Sequence, residues 1–553
     1  MMVQTKGDDM SNRRPIATTA GIAFWLLVGP ALADTYYVAP EGSDETGDGS
    51  AGSPWATLRH ATDNVPDDGS EILFRDGEYV GAQSIARDFV THATIRAEHP
   101  YRATFVSSAA EHRVLLVWGG SNFTLAGFVF TGVDGPTDPY LIQITLDTSF
   151  DIVLEDNVFH DSYSNDIIKL NDSAHHITVR GNLFYNQPAG GDEHMDINTV
   201  HDIVVEDNVF MNDFAGSGRP LNNDTHPFVL IKNSGTDFVS TGFDIRRNVF
   251  VNWEGASDQP FLLLGEDGKS FHEAEDALVE NNLFIGNAPN PMTAAFAIKG
   301  ARDVTFRANT VTGDLPLGAV SWGYAMRLGR EGDNPVNDNI AFYNNIWSDP
   351  TSTMEHFSSG SPDNTSGAVL DNNLYYNGGE PIPVDADRVL NVDDDGSAIV
   401  EDPLLPADHS DLVLPRWDPD TGEFADGSSS IAEAHRRLVD LFGTPDGSSP
   451  AIDAADPSQM PADDILGHTR DDNPDVGAVE HGADGDVDTD ADSDSDADAD
   501  SDSDTDADSD GDSDVDGDAA QSGDDQGGCG CSAVGASSAS SRGILELVVT
   551  AWG

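Results

Sequence analysis

The sequence predicts an all-β protein built as a parallel β-solenoid, with a disordered acidic C-terminal tail. Three observations lead to this prediction. A strand–Asn–strand motif recurs along the middle of the chain, the 553 residues include 54 Gly and 25 Phe, and an Asp-rich run follows the last repeat. Repeats with a period of tens of residues indicate stacked units that bury their apolar faces on each other.

Each repeat contains a marker asparagine, and an apolar pair follows every marker except Asn309, as in residues 151–159 and 203–210. The residues before the marker alternate between β-branched and polar types, which is the periodicity of a strand. Asn tolerates the left-handed backbone, so we expect each marker to form a corner. Coils stack about 4.8 Å apart, so the markers should share amide hydrogen bonds in a ladder. The markers are Asn157, Asn182, Asn208, Asn248, Asn282, Asn309, Asn345 and Asn373.

A second strand is expected in each coil, ten to eighteen residues before the marker. Insertions flank these strands, most clearly at residues 212–227, 266–275 and 312–323. Loops on both edges of one sheet form the walls of a groove, and a long groove suits a polymer. The predicted strands are residues 166–170, 194–198, 228–232, 261–264, 296–299 and 324–328.

Period-two alternation places Ile168, Met195, Ile231, Ile298 and Met326 inward. The outward side chains are then one column: Lys169, Asp196, Lys232, Lys299 and Arg327.

The charge balance makes this column informative. The chain has 27 basic and 98 acidic residues, for a net charge of −71. Twenty Asp lie between residues 484 and 525, which leaves −71 + 20 = −51 for the rest. Free nucleic acid is excluded as a partner, because phosphate binding needs a basic surface. Three of the four Lys after residue 33 fall on the column, which favours contact with an acidic polysaccharide, while the alternative is neutralisation of stacked carboxylates.

Both ends of the chain indicate export. Residues 1–33 have a basic start, an apolar run and an Ala-Leu-Ala cleavage site, which are typical of a signal peptide. We expect the mature body to contain no membrane-spanning helix. Residues 483–527 form an Asp-rich spacer that is expected to be disordered, with calcium binding there as the alternative. Residues 528–553 carry Cys529 and Cys531 and resemble the Cys-containing C-terminal sorting tails of myxobacterial-type surface proteins. These features predict secretion or surface display by a Gram-negative-type bacterium.

Further motifs resemble the right-handed parallel β-helix proteins of the pectate-lyase-like superfamily. Residues 36–44, 54–58 and 72–79 are similar to the family's N-terminal opening segment, and residues 449–453 and 475–480 to its closing segment. The resemblance covers residues 35–482. It implies an opening segment and cap at residues 34–71 with a helix at 57–64, and a parallel β-helix at 72–415. An insertion and closing segment follow at 416–482, with a helix at 431–442.

The resemblance implies a carbohydrate-active protein, most concretely a lyase that cleaves a uronate-containing glycan by β-elimination. Such a lyase needs a base and cations that hold the substrate carboxylate. By resemblance, Lys232 or Lys169 is the base and Arg327 the carboxylate clamp. Lys299 and Asp196 are candidate substrate-binding residues.

Other residues and other functions also come into consideration. The resemblance implies calcium at Asp166, Glu193 and Asp196, and His194 is a further catalytic candidate. A hydrolase would instead pair Asp166 with Asp196. A rival function is a non-catalytic surface adhesin or glycan-binding solenoid. The expected partner is an acidic or neutral polysaccharide, bound by a monomer.

Candidates for sugar stacking, with packing in the core as the alternative, are Trp118, Trp253, Trp322 and Trp347.

Overall fold

The computed structural model describes the region between residues 34 and 482. The described stretches are residues 34–108, 113–134, 140–188, 192–219, 226–235, 240–254, 259–286, 292–315, 324–406, 409 and 412–482. All of them belong to the first of two units in the chain, Met1–Val487. The predicted signal peptide, Asp-rich spacer and Cys-containing tail lie outside the described residues and stay predictions.

The described chain winds through three parallel sheets in turn, and each circuit makes one coil of a right-handed parallel β-helix. In one coil it passes along Tyr140–Thr145, then Phe150–Glu155, then Val158–His160. The next coil begins with Ile168–Asn171, which pairs in parallel with Tyr140–Thr145 so that Ile142 lies beside Ile168. Each sheet therefore runs along the length of the helix, with one strand from each coil.

The three sheets are numbered here for reference. Sheet 1 has 13 described strands: Thr35–Val38, Glu71–Phe74, Asp88–Ala97, Ser121–Ala126, Phe150–Glu155, His175–Arg180, His201–Glu206, Thr241–Arg246, Ala274–Glu280, Ala301–Arg307, Asn337–Tyr343, Thr365–Ser366 and Val369–Asp371. Sheet 2 has 10: Gln83–Ile85, Arg113–Trp118, Tyr140–Thr145, Ile168–Asn171, Met195–Asn198, Val229–Lys232, Leu262–Leu264, Phe296–Ile298, Met326–Leu328 and Ser358–Ser359. Sheet 3 has 12: Gly77–Val80, Ala103–Val106, Val129–Thr131, Val158–His160, Leu183–Tyr185, Val209–Met211, Val249–Val251, Leu283–Gly286, Thr310–Gly313, Ile346–Asp349, Leu374–Asn377 and Ile399–Val400.

The interior of the coils is filled by stacked apolar side chains. An aromatic residue follows every marker asparagine except Asn309, where Val311 takes its place, and it points inward from sheet 3. From Phe159 to Phe284, each ring lies on the equivalent ring of the next coil. The ring centroids of Phe159 and Phe184 are 4.9 Å apart, and those of Phe184 and Phe210 are 4.8 Å apart. These spacings match the separation of adjacent strands. Coil-by-coil stacking therefore explains why the motif repeats an aromatic residue.

The marker asparagines form the predicted ladder. Each is buried, and its Nδ2 donates to the Oδ1 of the next marker, as from Asn182 to Asn208 at 3.0 Å. The described ladder ends where Asn373 donates to a carboxylate oxygen of Asp395 at 2.9 Å. The prediction that the markers themselves are left-handed is wrong. The positive φ belongs to the residue before each marker, such as Asp156 or Asp207, which makes the corner and leaves the asparagine facing inward.

The two predicted helices are confirmed. Leu58–Asn64 begins at the N-cap Thr57, whose side chain accepts from the backbone of His60 at 3.2 Å. The helix Ile431–Phe442 packs on the outer face of sheet 3, where its apolar side meets side chains such as Leu283. The remaining short elements are the hairpin strands Trp417–Asp418 and Glu423–Phe424 and the 3-10 helices Pro362–Asn364, Val392–Asp394 and Pro457–Gln459. Within the described stretches, no helix has the length and apolar character needed to cross a membrane.

One outward column of sheet 1 alternates in charge from coil to coil. Arg180 donates to Glu155 at 3.0 Å, and Arg246 donates to Glu206 at 2.8 Å. Opposite charges on directly paired strands stabilise a sheet, whereas like charges destabilise it. This acidic protein therefore places its arginines where carboxylates would otherwise stack. The column runs Glu155, Arg180, Glu206, Arg246, Glu280 and Arg307.

Candidate functional site on sheet 2

The strands predicted to line a groove all lie in sheet 2, and their inward residues are those predicted. Met195 and Ile231, for example, are fully buried in the core. The predicted groove walls flank opposite edges of this sheet. Residues 212–227 connect sheet 3 to sheet 2, and residues 266–275 lead from sheet 2 to sheet 1. Residues 220–225 and 316–323 of the predicted walls lie outside the described residues.

The outward charged residues of sheet 2 occupy two adjacent columns, so the prediction of a single column is wrong. Lys169 lies beside Asp196, but the residue beside Asp196 on the next strand is Leu230. Lys232 lies beside Asn198, two residues further along the strand. The two columns arise from strand register, because the length of each loop decides which residue of the next strand pairs with a given position. The two columns are adjacent, so long side chains still reach across.

Lys169 and Lys232 converge on one carboxylate. Lys169 Nζ donates to Asp196 Oδ2 and lies 3.7 Å from Asp166 Oδ2. Lys232 Nζ lies 3.5 Å from the same oxygen of Asp196. Burial acts to lower the pKa of each lysine. The neighbouring carboxylates, Asp196 foremost, outweigh that effect and hold both pKa values above the usual range.

Three buried carboxylates meet beside these lysines. Asp166, Glu193 and Asp196 are each at least 97% buried, and one oxygen from each lies within 4.8 Å of the others. Burial and the two neighbouring carboxylates raise the pKa of Glu193 well above its ordinary value. Burial and Asp166 also raise the pKa of Asp196, against the effect of the two lysines. The chain has therefore concentrated negative charge where solvent cannot relieve the repulsion.

The two carboxylate oxygens of Asp196 differ in their surroundings. Its Oδ1 is buried and has no hydrogen-bond partner among the described residues. A buried carboxylate oxygen without a donor is costly, and such groups call for an explanation. The all-oxygen donor set of Asp166, Glu193 and Asp196, together with this open oxygen, fits a hard cation such as calcium.

Sequence reasoning missed two side chains at this cluster. His226 Nδ1 lies 3.1 Å from Glu193 Oε1, and Glu266 completes a second group with these two in which the three ligand atoms lie within 4.8 Å of one another. Glu193 therefore belongs to both groups. His226 and Glu266 lie outside the strand periodicity, at the end of one loop and the start of another. The sequence feature that could have indicated these two residues is the placement of insertions on both edges of sheet 2.

Lys299 and Arg327 lie on the same face but further along it. The side chain of Lys299 is buried between two carboxylates, 3.7 Å from Glu266 and 3.7 Å from Glu331. Its strand is two coils beyond that of Lys232, and the strand of Arg327 is one coil further. At about 4.8 Å per coil, the strand of Arg327 lies about 14 Å from that of Lys232 along the sheet. The clamp role of Arg327 stays a prediction.

The structure places His194 in the core rather than on the outward face of sheet 2. It is fully buried and faces the core, where its ring lies 4.4 Å from that of Phe228. Burial lowers the pKa of His194 to about 3, so the ring is neutral. Alternation did not indicate this inward orientation, because His194 stands directly before the strand Met195–Asn198.

The tryptophans divide between the core and the surface. Trp253 and Trp347 are at least 99% buried, so the alternative of core packing holds for both. Trp322 lies outside the described residues. Trp118, at the end of a strand of sheet 2, is 54% exposed.

Comparison with known proteins gives similarity at the level of fold. No protein-family model matches the sequence, and no curated protein matches it. Solved structures do resemble it. The pectate lyase Pel9A has 16% identity and a TM-score of 0.44, over 82% of this chain and 97% of that one. An alginate lyase from Paenibacillus sp. str. FPU-7 has 15% identity and a TM-score of 0.32, over 58% and 94%. An endo-xylogalacturonan hydrolase from Aspergillus tubingensis has 12% identity and a TM-score of 0.41, over 66% and 100%.

The fold is the right-handed parallel β-helix that the sequence predicts. The three parallel sheets and the coil-by-coil register establish it from the structure itself. At identities this low, likeness to these proteins concerns the fold alone, and one fold carries many functions. Any activity must therefore be argued from the side chains on sheet 2.

Proposed function

We propose that this is an exported carbohydrate-active protein that cleaves a uronate-containing polysaccharide by β-elimination at the cluster on sheet 2. One observation carries the proposal. Lys169 and Lys232 converge on Asp196 within a group of buried carboxylates, on the face flanked by the long loops. This arrangement joins a candidate base to a candidate cation site, and β-elimination beside a carboxylate needs both.

The reaction divides into steps that this site can support. A base removes the proton on the carbon beside the substrate carboxyl group, and the resulting anion spreads onto that carboxylate. The glycosidic oxygen on the neighbouring carbon then leaves and takes up a proton, so a carbon–carbon double bond replaces the two broken bonds. The protein must therefore hold the carboxylate and accept the proton at one place.

Lys232 is the favoured base. Lys169 lies between two carboxylates, Asp196 and Asp166, and its geometry is that of an internal counterion. Among the described residues, Lys232 forms an ion pair with Asp196, at the longer distance of 3.5 Å. Its column is also the one that carries the exposed Trp118 at its far end. We therefore assign the base to Lys232 and the orientation of Asp196 to Lys169.

Calcium fits the carboxylate cluster and would be held by Asp166, Glu193 and Asp196. When bound, the ion would neutralise the carboxylates that face Lys232 and help to hold the substrate carboxylate. His226, 3.1 Å from Glu193, fixes the orientation of that side chain. The lysines lie close to carboxylates in the structure, so a base with a free amine requires that this negative charge be compensated.

The alternative is a non-catalytic glycan-binding solenoid, and one observation favours it. Both lysines are ion-paired and their pKa values are raised, which is the state expected of groups that bind anions without accepting protons. Such a protein would bind acidic glycans through the same face. A hydrolase that pairs Asp166 with Asp196 is less favoured, because their oxygens approach within 4.8 Å and Lys169 contacts both side chains.

The proposal is tested with a panel of alginate, pectate and glycosaminoglycans, each incubated with the protein in calcium and in a chelator. Lysis is followed by the ultraviolet absorbance of unsaturated products, which hydrolysis does not generate. We expect at least one polyuronate to yield such products, faster with calcium. If no polyuronate is cleaved but one is bound, the glycan-binding alternative replaces the lyase. If reducing ends appear without unsaturation, the reaction is hydrolysis.

A further inference from the structure

Trp118 is an exposed aromatic side chain on the same face as the proposed site. It ends the strand Arg113–Trp118, and its side chain is 54% exposed, whereas the preceding Val117 is fully buried. The chain turns away directly after it. Gly119 has a φ of +71°, and a Cβ there would lie 2.8 Å from the hydroxyl of Thr148. The tight turn therefore fixes the indole at the edge of sheet 2, with its strand alternation directing it outward.

The register of sheet 2 aligns Trp118 with Lys232. Moving one coil at a time, Trp118 lies beside Thr145, Thr145 beside Asn171, Asn171 beside Asn198, and Asn198 beside Lys232. Four coil steps of about 4.8 Å separate the two ends by about 19 Å. The column therefore begins with an aromatic side chain and ends at a lysine, in line along the helix axis.

The residues between these ends are polar. Thr145 and Asn198 are buried and bond to neighbouring residues, Thr145 to Asp172 and Asn198 to Ser234, whereas Asn171 is partly exposed. The amide of Asn171 both donates and accepts, so it can meet a sugar hydroxyl between the two ends. An indole face packs well against the C–H groups of a sugar ring. The column is thus a track with a stacking surface at the end remote from the proposed catalytic centre.

We infer that Trp118 is a sugar-stacking subsite that binds a polysaccharide chain lying along sheet 2, several sugar units away from Lys232. The inference rests on the proposed function in naming a polyuronate as the chain. It adds that the protein prefers long substrates, because only a chain that spans about 19 Å touches both ends of the track. Oligosaccharides too short to span it gain nothing from the indole.

The test measures binding in the full chain with Lys232→Ala, in which loss of the proposed base should slow cleavage by about 10²–10⁴-fold. The probes are alginate and pectate, each as polymer and as size-fractionated oligomers, and affinity is measured by calorimetry. Adding Trp118→Ala should weaken polymer binding by about tenfold and leave the shortest oligomers unaffected. Trp118→Phe should retain most of the affinity. Val90→Ala, which alters a side chain that is 86% exposed on sheet 1, is the control and should change nothing.

The outcomes separate this inference from the proposed function. The inference is overturned if polymer affinity is the same with and without Trp118, or if neither polymer binds. It is also overturned if Trp118→Ala weakens binding of the shortest oligomers as much as binding of the polymer. Trp118-dependent binding in a protein whose wild type cleaves nothing would support the subsite and contradict the lyase. If the wild type cleaves the polymer but adding Trp118→Ala leaves polymer affinity unchanged, the lyase is supported and the subsite is contradicted. Thermal melting of each variant checks that the fold is retained.

Discussion

The ammonium nitrogen of Lys232 lies 3.5 Å from Asp196 Oδ2, although the two residues belong to neighbouring coils and to different outward columns of sheet 2. The same carboxylate accepts a hydrogen bond from Lys169 of the preceding coil. Asp196 is thus the centre of a cluster drawn from three successive coils. Its other oxygen is buried without a partner among the described residues.

We predict that calcium binds at this cluster and stabilises the fold. A ligand that binds only the folded state, at a hundredfold excess over its Kd, adds about 2.7 kcal/mol to the free energy of unfolding. Asp196→Asn should abolish both the binding heat and the rise in Tm, because it removes one of three ligands. Calorimetry and thermal melting measure these effects. The control is Asp202→Asn on sheet 1, and a full calcium response in Asp196→Asn would contradict the prediction.

The free energy of unfolding should depend on pH through Asp156. Burial raises the pKa of Asp156 to about 6, although the hydroxyl of Tyr101 donates to it. Between pH 3.8 and about 6 the folded chain keeps a proton that the unfolded chain has lost, so stability falls as the pH rises. The loss amounts to at most about 3 kcal/mol.

Asp156→Asn should remove this loss. Asparagine also tolerates the positive φ of 53° at this position and can accept from Tyr101. We expect the variant to be more stable than the wild type at pH 7 and nearly equal to it at pH 4. Urea denaturation at both pH values measures the difference. A variant that is less stable at pH 7 would show that the ionised carboxylate is needed there.

The asparagine ladder should be a major source of stability. Asn282 donates to Asn309 at 2.9 Å and to the carbonyl oxygen of Ile245 at 2.8 Å, and its own Oδ1 accepts from Asn248. Asn282→Ala leaves these buried groups unsatisfied, which should lower the free energy of unfolding by about 3–5 kcal/mol. The exposed Asn473→Ala is the control. A loss no larger than that of the control would mean that the ladder is not needed for stability.

The fold was largely predictable because its causes are local and repeated. Period-two alternation, a recurring asparagine and the aromatic residue that follows most of these markers all appear in the sequence. The conformation of the corner was not predictable in the same way. Asn and Asp both tolerate a positive φ, so the pattern Asp-Asn at residues 156–157 and 207–208 does not reveal which residue adopts it.

The site was predictable in residue type but not in geometry. A shortage of lysines in an acidic chain indicated Lys169 and Lys232, and the structure brings both to Asp196. Whether Lys232 shares a column with Asp196 depends on how far each loop shifts the next strand, which the sequence does not reveal. For the same reason His226, which reaches Glu193 from a loop, carried no periodic signal.

The most direct test of the account compares Lys232→Ala with Lys269→Ala in the rate of unsaturated-product formation from the best polyuronate, with calcium present. Loss of a general base lowers kcat by about 10²–10⁴-fold. We predict a loss in this range for Lys232→Ala and an unchanged rate for Lys269→Ala, whose lysine lies outside the cluster. A Lys232→Ala variant that cleaves the polymer at the wild-type rate would contradict the assignment of Lys232 as the catalytic base.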